Sequence, residues 1–506
     1  MYQFHYHVFD SLPKLSWLAE IHAETQQIDV FCGNKVERCS GFFVTGVWDG
    51  AFLKADFDHC EAFFGTGAKI TEAGVRFVTP SHALERLVLY RRDTVVVSNS
   101  IPFLLSYCGL QLDNRIDQYE RMLCSVLDGP DKMIKRIPLK NHAFFDQYIV
   151  SFIHVNTNGE IEIQKRPAVL PFQSFDQYYS RLMNAMSAVR NNSVSPDRRN
   201  SSFGIVSTLS SGYDSSTCSA VAKKLGCDTV AALCGGRYDK DDGREIAKQL
   251  GYQHIVRRDM DSYREIPGAI DAEFLCSGEM GTMLQFSVFE DVFQDNLVFF
   301  GLRGSYWSKK MDMTDDFEMI GYFNCEADIS ITEYALRKGF IMIPLPTFGA
   351  SSCSSINRIS NSEEMKPWTL GTEYDKPIPR RILETNGVSR ASFGQKKYGG
   401  GFSLYRDTKK RLSKRMSIAG YQSFEAFLKL NKGIKWGIKR WLHCCLYVIE
   451  NFPIYLNHLF RVVGISYRIK QKPRRIANPG AVADLFFWGV ARTKERYAMN
   501  QSSGKE

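Results

Sequence analysis

The first third of the chain alternates short apolar runs with turn-forming residues. Short runs that are rich in β-branched and aromatic residues and bounded by turn signals are typical of strands. Turn-forming clusters such as 156–159 separate the runs. The predicted strands are 40–47, 74–78, 87–90, 94–97, 148–155 and 161–164. Residues 101–108 and 116–127 carry helical periodicity instead, so we expect a β-rich region with two helices up to about residue 170.

From residue 174 the pattern changes. Residues 174–189 form an amphipathic helical pattern, and residues 191–200 are a polar run of linker composition, which places a domain junction near 167–174. Four further strands, with helical patterns between them, are predicted at 205–209, 229–233, 254–256 and 296–300. Such alternation predicts parallel βαβ units in a doubly wound sheet, in which ligands lie beyond the carboxyl ends of the strands.

The pattern therefore predicts an α/β protein with three regions. These are a β-rich domain over residues 1–170, a parallel-sheet domain over 171–410, and a basic helical extension over 411–506. A length of 506 residues suits more than one core, and an apolar fraction of 44% is ordinary for a globular protein. The formal net charge is +9, and the excess of positive charge lies after Arg406, with the preceding part near neutral.

The cysteines and the chain ends bear on the compartment. The 13 cysteines include no Cys-x-x-Cys pair and lack metal-site spacing. Because the first residues lack the features of a secretory signal, we expect a cytoplasmic protein with free thiols. The mainly apolar stretches 441–449 and 452–463 contain or adjoin several polar residues and are interrupted by Asn451 and Pro453. They are therefore not expected to form a transmembrane helix. The basic C-terminal region predicts either a helical cap on the preceding domain or a peripheral contact with an anionic membrane or partner.

The most informative chemistry follows the predicted strand 205–209. The chain turns through serines and Gly212 into a helix, which directs backbone N–H groups and the positive end of the helix dipole toward one point. That arrangement suits a phosphate. Ser210, Ser215 and Ser216 add hydroxyl donors, and Asp214 supplies the oxygen ligand that a phosphate-bound Mg²⁺ needs. The spacing differs from that of a Walker loop, and an ordinary serine-rich turn is the alternative.

The sequence Ser-Ser-Gly-Tyr-Asp-Ser over 210–215 resembles the Ser-Gly-Gly-x-Asp-Ser loop of the N-type ATP pyrophosphatases. Four later segments, 229–254, 336–344, 375–383 and 393–402, resemble in order and spacing the synthase domain of asparagine synthetases and β-lactam synthetases. The resemblance implies that ATP and Mg²⁺ bind at the loop and that a substrate oxygen is adenylated with release of pyrophosphate. The residues expected to contact ATP are Leu209, Ser210, Ser211, Gly212, Tyr213, Asp214, Ser215, Ser216, Leu233, Gly301 and Arg303, with Asp214 as metal ligand.

The N-terminal region resembles the glutaminase-type (Ntn-like) domain fused to asparagine synthetases, over segments 89–105 and 134–138. A working glutaminase uses an N-terminal cysteine whose α-amine serves as base. Here Tyr2 holds that place, and Cys32 and Cys39 lie inside the chain. We therefore expect a degenerate, scaffold-like domain without glutamine hydrolysis. The amine would come from solution, from the substrate or from a separate ammonia or amine donor protein.

A second departure affects the metal. Where the family carries Gly-x-Gly-x-Asp-Glu, this chain has Ser305 and Tyr306 near the places of the two carboxylates, preceded by Arg303. Either an aspartate within 312–316 reaches back to the metal, or Arg303 replaces part of the cation charge around the phosphates.

The segment 393–402 contains two adjacent lysines, Lys396 and Lys397. The resemblance implies that one of them stabilises the oxyanion of the second step, when an amine attacks the acyl-adenylate. Lys396 fits the Lys-x-x-Gly register with Gly399, but both stay candidates, and a solvated charge cluster is the alternative.

Three classes of function stay open. The first is an ATP-dependent, AMP- and pyrophosphate-forming ligase that joins a small carboxylate to an amine. The second is an enzyme that thiolates or amidates a nucleic-acid base with the same loop. The missing Cys-x-x-Cys pair and the near-neutral ATP half make nucleic acid an unfavoured partner. The third is a degenerate, non-catalytic member, which Ser211 and Ser305 motivate.

Overall fold

Three β-sheets organise the chain in the computed structural model. It describes residues 1–116, 119–125, 133–277, 281–309, 331–372, 374–396, 398, 404, 407, 409–431 and 482–498, and a few positions between 445 and 460. An all-parallel sheet and mixed α and β elements confirm the α/β prediction at that level.

The first two sheets come from the N-terminal region. Their strands are β1 (Gln3–Val8), β2 (Trp17–His22), β3 (Gln27–Cys32), β4 (Glu37–Arg38), β5 (Phe42–Trp48), β6 (Phe63–Thr71), β7 (Gly74–Val78), β8 (Leu87–Arg91), β9 (Val95–Ser98), β10 (Arg136–Pro138), β11 (Phe144–Tyr148), β12 (Ser151–Asn156) and β13 (Ile161–Lys165). The strand orders are β1-β3-β2-β9-β8-β11-β10 and β13-β12-β7-β6-β5-β4. Neighbouring strands are antiparallel except β1 and β3, which are parallel.

The inner faces of these two sheets share one apolar core. Trp17 on β2 is fully buried there, with its ring stacked on Phe77 at 6.0 Å and edge-on to Phe43 at 5.0 Å. Its indole Nε1 donates to Thr66 Oγ1 at 2.9 Å, so the buried polar atom has a partner. Aromatic packing of this kind joins strands that are distant in the sequence.

The third sheet is parallel and carries the serine-rich loop. Its strands are β14 (Gly204–Thr208), β15 (Thr229–Cys234), β16 (His254–Asp259), β17 (Asn296–Phe300) and β18 (Ile341–Pro344), in the order β16-β15-β14-β17-β18. The chain moves outward from β14 to β16 and then crosses to β17 on the other side of β14. The carboxyl ends of β14 and β17 therefore flank a topological switch point, where open α/β sheets bind ligands.

Helices connect and cover the sheets. Their bounds are α1 (Ile101–Tyr107), α2 (Tyr119–Cys124), α3 (Phe175–Ser193), α4 (Tyr213–Lys224), α5 (Arg244–Gln249), α6 (Glu290–Phe293), α7 (Thr332–Lys338), α8 (Cys353–Ser360), α9 (Pro377–Thr385), α10 (Lys409–Arg415), α11 (Ile418–Asn431) and α12 (Val482–Lys494). In α12, Phe486 and Trp488 are buried, and Trp488 Nε1 donates to Ser423 Oγ at 3.1 Å. Among the helices described, none is both long enough and apolar enough to cross a membrane.

The polar run 191–200, predicted to be a linker, is instead fixed in place. Helix α3 continues to Ser193, and the buried Arg198 guanidinium donates to Gly46 O at 2.8 Å and lies over the Phe52 ring at 4.7 Å. Glu37 accepts the Ser201 amide at 2.7 Å. Composition alone could not show this, because Arg198 and Ser201 find partners on strands far away in sequence.

Several element predictions also needed correction. The predicted strand 148–155 is two strands, β11 and β12, separated by a break at residues 149–150. The sequence pattern does not predict strands β1, β2, β3, β4, β6, β10 and β18. The helix predicted over 116–127 is described only as α2, since residues 117–118 and 126–132 lie outside the described part.

Candidate functional site

The serine-rich loop lies between β14 and α4, at the switch point of the parallel sheet. Gly212 is the N-cap residue of α4, and it has no side chain to cap the first amides of the helix. These amides and the helix dipole favour an anion at this end. The loop borders a cavity of about 250 Å³. The predicted residues that line the cavity are Leu209, Ser210, Gly212, Asp214, Ser215, Leu233, Gly301 and Lys396.

Hydrogen bonds within the loop set its shape. The hydroxyls of Ser210 and Ser215 lie 2.9 Å apart, and Ser210 Oγ accepts the Gly212 amide at 3.1 Å. Ser216 Oγ donates to Ser210 O at 2.8 Å and to Gly212 O at 2.6 Å. The Ser216 hydroxyl thus serves the loop itself, whereas Ser210 and Ser215 both shape the loop and face the cavity.

Ser211, which stands where the resembling family has glycine, is not among the described residues that line the cavity. Its hydroxyl donates to Asp241 Oδ1 at 2.7 Å, and its amide donates to the same oxygen at 3.0 Å. Asp241 itself lines the cavity. The substitution of glycine by serine therefore joins the loop to the segment after β15 without blocking the loop.

Asp214 pairs with Lys376, a residue that the sequence analysis does not identify as part of the site. Lys376 Nζ lies 2.7 Å from Asp214 Oδ1 and 2.8 Å from Oδ2, and it also donates to Gly304 O at 2.8 Å. The Lys376 side chain is 8% exposed and that of Asp214 is 26% exposed. The only signal for this lysine in the sequence is its place in the Asp-Lys-Pro run of segment 375–383.

The loop after β17 approaches Asp214 so closely that only glycine fits. A Cβ on Gly301 would lie 2.5 Å from Ser215 N and 2.6 Å from Asp214 C. A Cβ on Gly304 would collide with the Asp214 carboxyl group. The glycines at 301 and 304 thus permit the β17 loop to press against the start of α4.

Besides Ser211 and Ser216, two further predicted ATP contacts, Tyr213 and Arg303, are outside the described cavity lining. Tyr213 is buried, with its ring 5.7 Å from that of Phe393 and 4.9 Å from that of Tyr374. Arg303 adopts a left-handed backbone conformation, with its guanidinium 5.6 Å from the centre of the Tyr306 ring. Neither belongs to the described lining of the cavity. The buried Tyr213 side chain therefore belongs to the packing around the loop, and a contact with ATP through its backbone stays a prediction.

The lysine-bearing segment, residues 393–398, contacts the loop 210–216. Gly394 N donates to Ser211 O at 2.8 Å, and Gly394 has a φ of +63°, a conformation that favours glycine. Lys396 is exposed at the cavity, with Nζ 5.8 Å from the centre of the Tyr398 ring. Lys397 lies outside the described residues, as do the aspartates of 312–316.

Tyr374 and Arg380 complete the surroundings. Burial, with a smaller contribution from the Asp214 charge, raises the pKa of the Tyr374 phenol, which therefore stays protonated at neutral pH. Arg380 is fully buried, and its guanidinium hydrogen-bonds the Tyr213 hydroxyl and lies 5.4 Å from the centre of the Phe393 ring. The described lining of the cavity thus carries one lysine, Lys396, and two carboxylates, Asp214 and Asp241, beside several hydroxyl groups.

The fit to Mg²⁺ depends on Asp214. Within the described residues, no group of three or more His, Cys, Asp or Glu side chains could hold a metal by itself. Mg²⁺ commonly binds through one or two carboxylates and completes its shell with substrate phosphates and water. A carboxylate has about four lone-pair sites, so Asp214 can accept from Lys376 and still serve as a ligand. The residues present therefore fit one phosphate-bound Mg²⁺.

No protein-family model matches the chain, and the comparison with curated proteins finds no match either. The interpretation of the site accordingly rests on its geometry and on the short motifs described above.

Proposed function

We propose that the chain is an ATP-dependent, AMP- and pyrophosphate-forming ligase of the asparagine synthetase type, which activates a substrate carboxylate for amide or other C–N bond formation. The observation that carries the proposal is the loop 210–216 at the switch point of the parallel sheet. This loop, which includes Asp214, borders a cavity that Gly301 also lines. A loop of this shape at a helix N-terminus is suited to the diphosphate part of ATP.

The proposed reaction has two steps. A carboxylate oxygen of the substrate attacks the α-phosphorus of ATP, the bond to the bridging oxygen breaks, and pyrophosphate leaves. An amine then attacks the acyl carbon, loses a proton, and AMP leaves. Ser210, Ser215 and the first amides of α4 would hold the departing diphosphate, and Lys396 or Lys397 would face the oxyanion of the second step. Mg²⁺ held through Asp214 would neutralise charge on the leaving group.

Lys376 has a distinct part in this proposal. Its ammonium group lies at the Asp214 carboxylate and the Gly304 carbonyl, close to where the resembling family carries an acidic pair that the chain lacks. A fixed ammonium there supplies positive charge near the phosphates without a second metal ion. We include Lys376 as a residue that positions Asp214.

The N-terminal sheets are proposed to act as a scaffold. Burial raises the pKa of the Cys32 thiol to about 12 and also raises the pKa of Cys39. Neither is therefore a ready thiolate nucleophile at neutral pH. The amine would come from solution, the substrate or a separate donor protein. A cytoplasmic location agrees with the free thiols of Cys32, Cys218 and Cys227.

The decisive experiment follows the fate of α-labelled ATP. The full-length chain is incubated with Mg²⁺ and the small-molecule fraction of a cell extract, and we expect labelled AMP together with pyrophosphate. Asp214→Ala should lower pyrophosphate release at least about a hundredfold while the protein stays folded by circular dichroism, because metal-assisted charge stabilisation contributes several kcal/mol. Formation of ADP and phosphate, or release that is unaltered in Asp214→Ala, would contradict the proposal.

The same assay separates the other classes. A requirement for tRNA in place of the small-molecule fraction would indicate the base-modifying class. A chain that binds no nucleotide at millimolar ATP and Mg²⁺ would indicate the non-catalytic class.

A further inference from the structure

The lining of the cavity beside the loop also includes apolar side chains. They are Leu233 at β15, Phe300 at the end of β17, and Met283 and Phe286 from the segment before α6. Such side chains pack well against a flat ring system, which has apolar faces. A polar residue, Gln285, lies between Met283 and Phe286 in the sequence and lines the same cavity.

Gln285 is unusual among the lining residues. Its side chain belongs to a residue that is only 1% exposed, and its Nε2 donates to the Tyr238 hydroxyl at 3.2 Å. Within the part of the chain that the structure describes, the other amide atom, Oε1, has no hydrogen-bond partner. A buried acceptor without a donor is unfavourable, and proteins usually satisfy such atoms with a ligand, a water molecule or a neighbouring group.

The two observations together describe a ligand group. It has flat apolar faces and at least one N–H donor on its edge, and it is attached to something anionic that reaches Ser210, Gly212 and Ser215. A purine nucleotide with an exocyclic amino group has all of these features. A base without such a donor would leave Gln285 Oε1 unpaired, so the site would discriminate against it.

We propose that Gln285 is the residue that selects the base of the nucleotide, with its Oε1 accepting a hydrogen bond from the 6-amino group of adenine. This inference rests on the proposed function, because it identifies the part of the same cavity that binds the base of ATP. Tyr238 positions Gln285, since its hydroxyl accepts from the other end of the amide.

The test compares two nucleotides on the full-length chain by calorimetry with Mg²⁺. ATP carries the 6-amino group, and purine riboside triphosphate is the same molecule without it. We expect the wild-type chain to bind ATP about tenfold more tightly, as one hydrogen bond to a buried acceptor allows. Gln285→Leu should bind both nucleotides with equal affinity, because the acceptor is gone, while Gln285→Glu should keep the preference.

Gln253→Leu is the matched control, because Gln253 is exposed and outside the cavity lining. This variant should behave as the wild type. Equal binding of the two nucleotides by the wild-type chain, or a preference that survives in a folded Gln285→Leu variant, would overturn the role of Gln285 and leave the proposed ligase activity standing. Failure of the wild-type chain to bind either nucleotide would overturn both proposals.

Discussion

The loop 210–216 and the lysine-bearing segment 393–398 border the same cavity, yet they are held very differently. The loop is fixed by internal hydrogen bonds, by Lys376 at Asp214 and by the close approach of Gly301. The lysine segment touches the loop through Gly394 and Phe393, while Lys396 itself is exposed. Under the proposed function, the groups for the first chemical step would be preorganised, whereas the lysine of the second step would take its working position with substrate.

The largest effect on this comparison is expected from Lys396→Ala. If Lys396 stabilises the oxyanion of the second step, loss of its charge should lower amide formation by about a hundredfold. Pyrophosphate release should change much less, because that step depends on the loop. The measurement is the ratio of amide product to pyrophosphate, with the carboxylate identified from the extract. Lys397→Ala is the matched control, and a larger loss in that variant would transfer the role to Lys397.

A methyl group at Gly301 should displace the loop 210–216 and lower the stability of the protein. In Gly301→Ala the new Cβ would press on Ser215 N and on the backbone of Asp214, so the loop or the start of α4 must shift. Overpacking of this kind costs about 1–3 kcal/mol of unfolding free energy. Gly41→Ala serves as control, because a Cβ there meets nothing within 4 Å. Equal denaturation midpoints for the two variants would show that the close approach is not maintained.

Replacing Lys376 tests how much its charge contributes to holding Asp214 in the loop 210–216. Lys376→Met removes a charged hydrogen-bond donor from Asp214, which should lower the unfolding free energy by about 1–3 kcal/mol. The Asp214 carboxylate then lacks a competing cation, so half-maximal pyrophosphate release should need less Mg²⁺. Lys366→Met is the control, since the Lys366 side chain is 70% exposed. An unchanged Mg²⁺ requirement would mean that Lys376 and the metal do not share the carboxylate.

The sequence predicted the parallel sheet and the loop because both rest on local signals. Apolar runs marked β14, β15 and β17, and the order of serines, glycine and Asp214 marked the turn into α4. Lys376 and Gln285 carry no such signal, since their importance comes from contacts with residues 162 and 47 positions away in the chain. Likewise, the docking of 191–200 depends on Glu37 and Gly46, which only the fold brings near.

The smallest effect is expected where the chain departs from the family loop, at Ser211. Ser211→Gly restores the residue of the resembling family and removes the hydrogen bond to Asp241 Oδ1, so the unfolding free energy should fall by about 1 kcal/mol. Ser211→Ala removes the same hydroxyl without adding backbone freedom, which separates the two contributions. Because Ser211 is not part of the described cavity lining, pyrophosphate release should stay within about twofold in both variants. A large gain in pyrophosphate release in Ser211→Gly alone would show that the serine restrains the loop 210–216. The hydrogen bonds of the loop would then hold it in a conformation that slows the reaction.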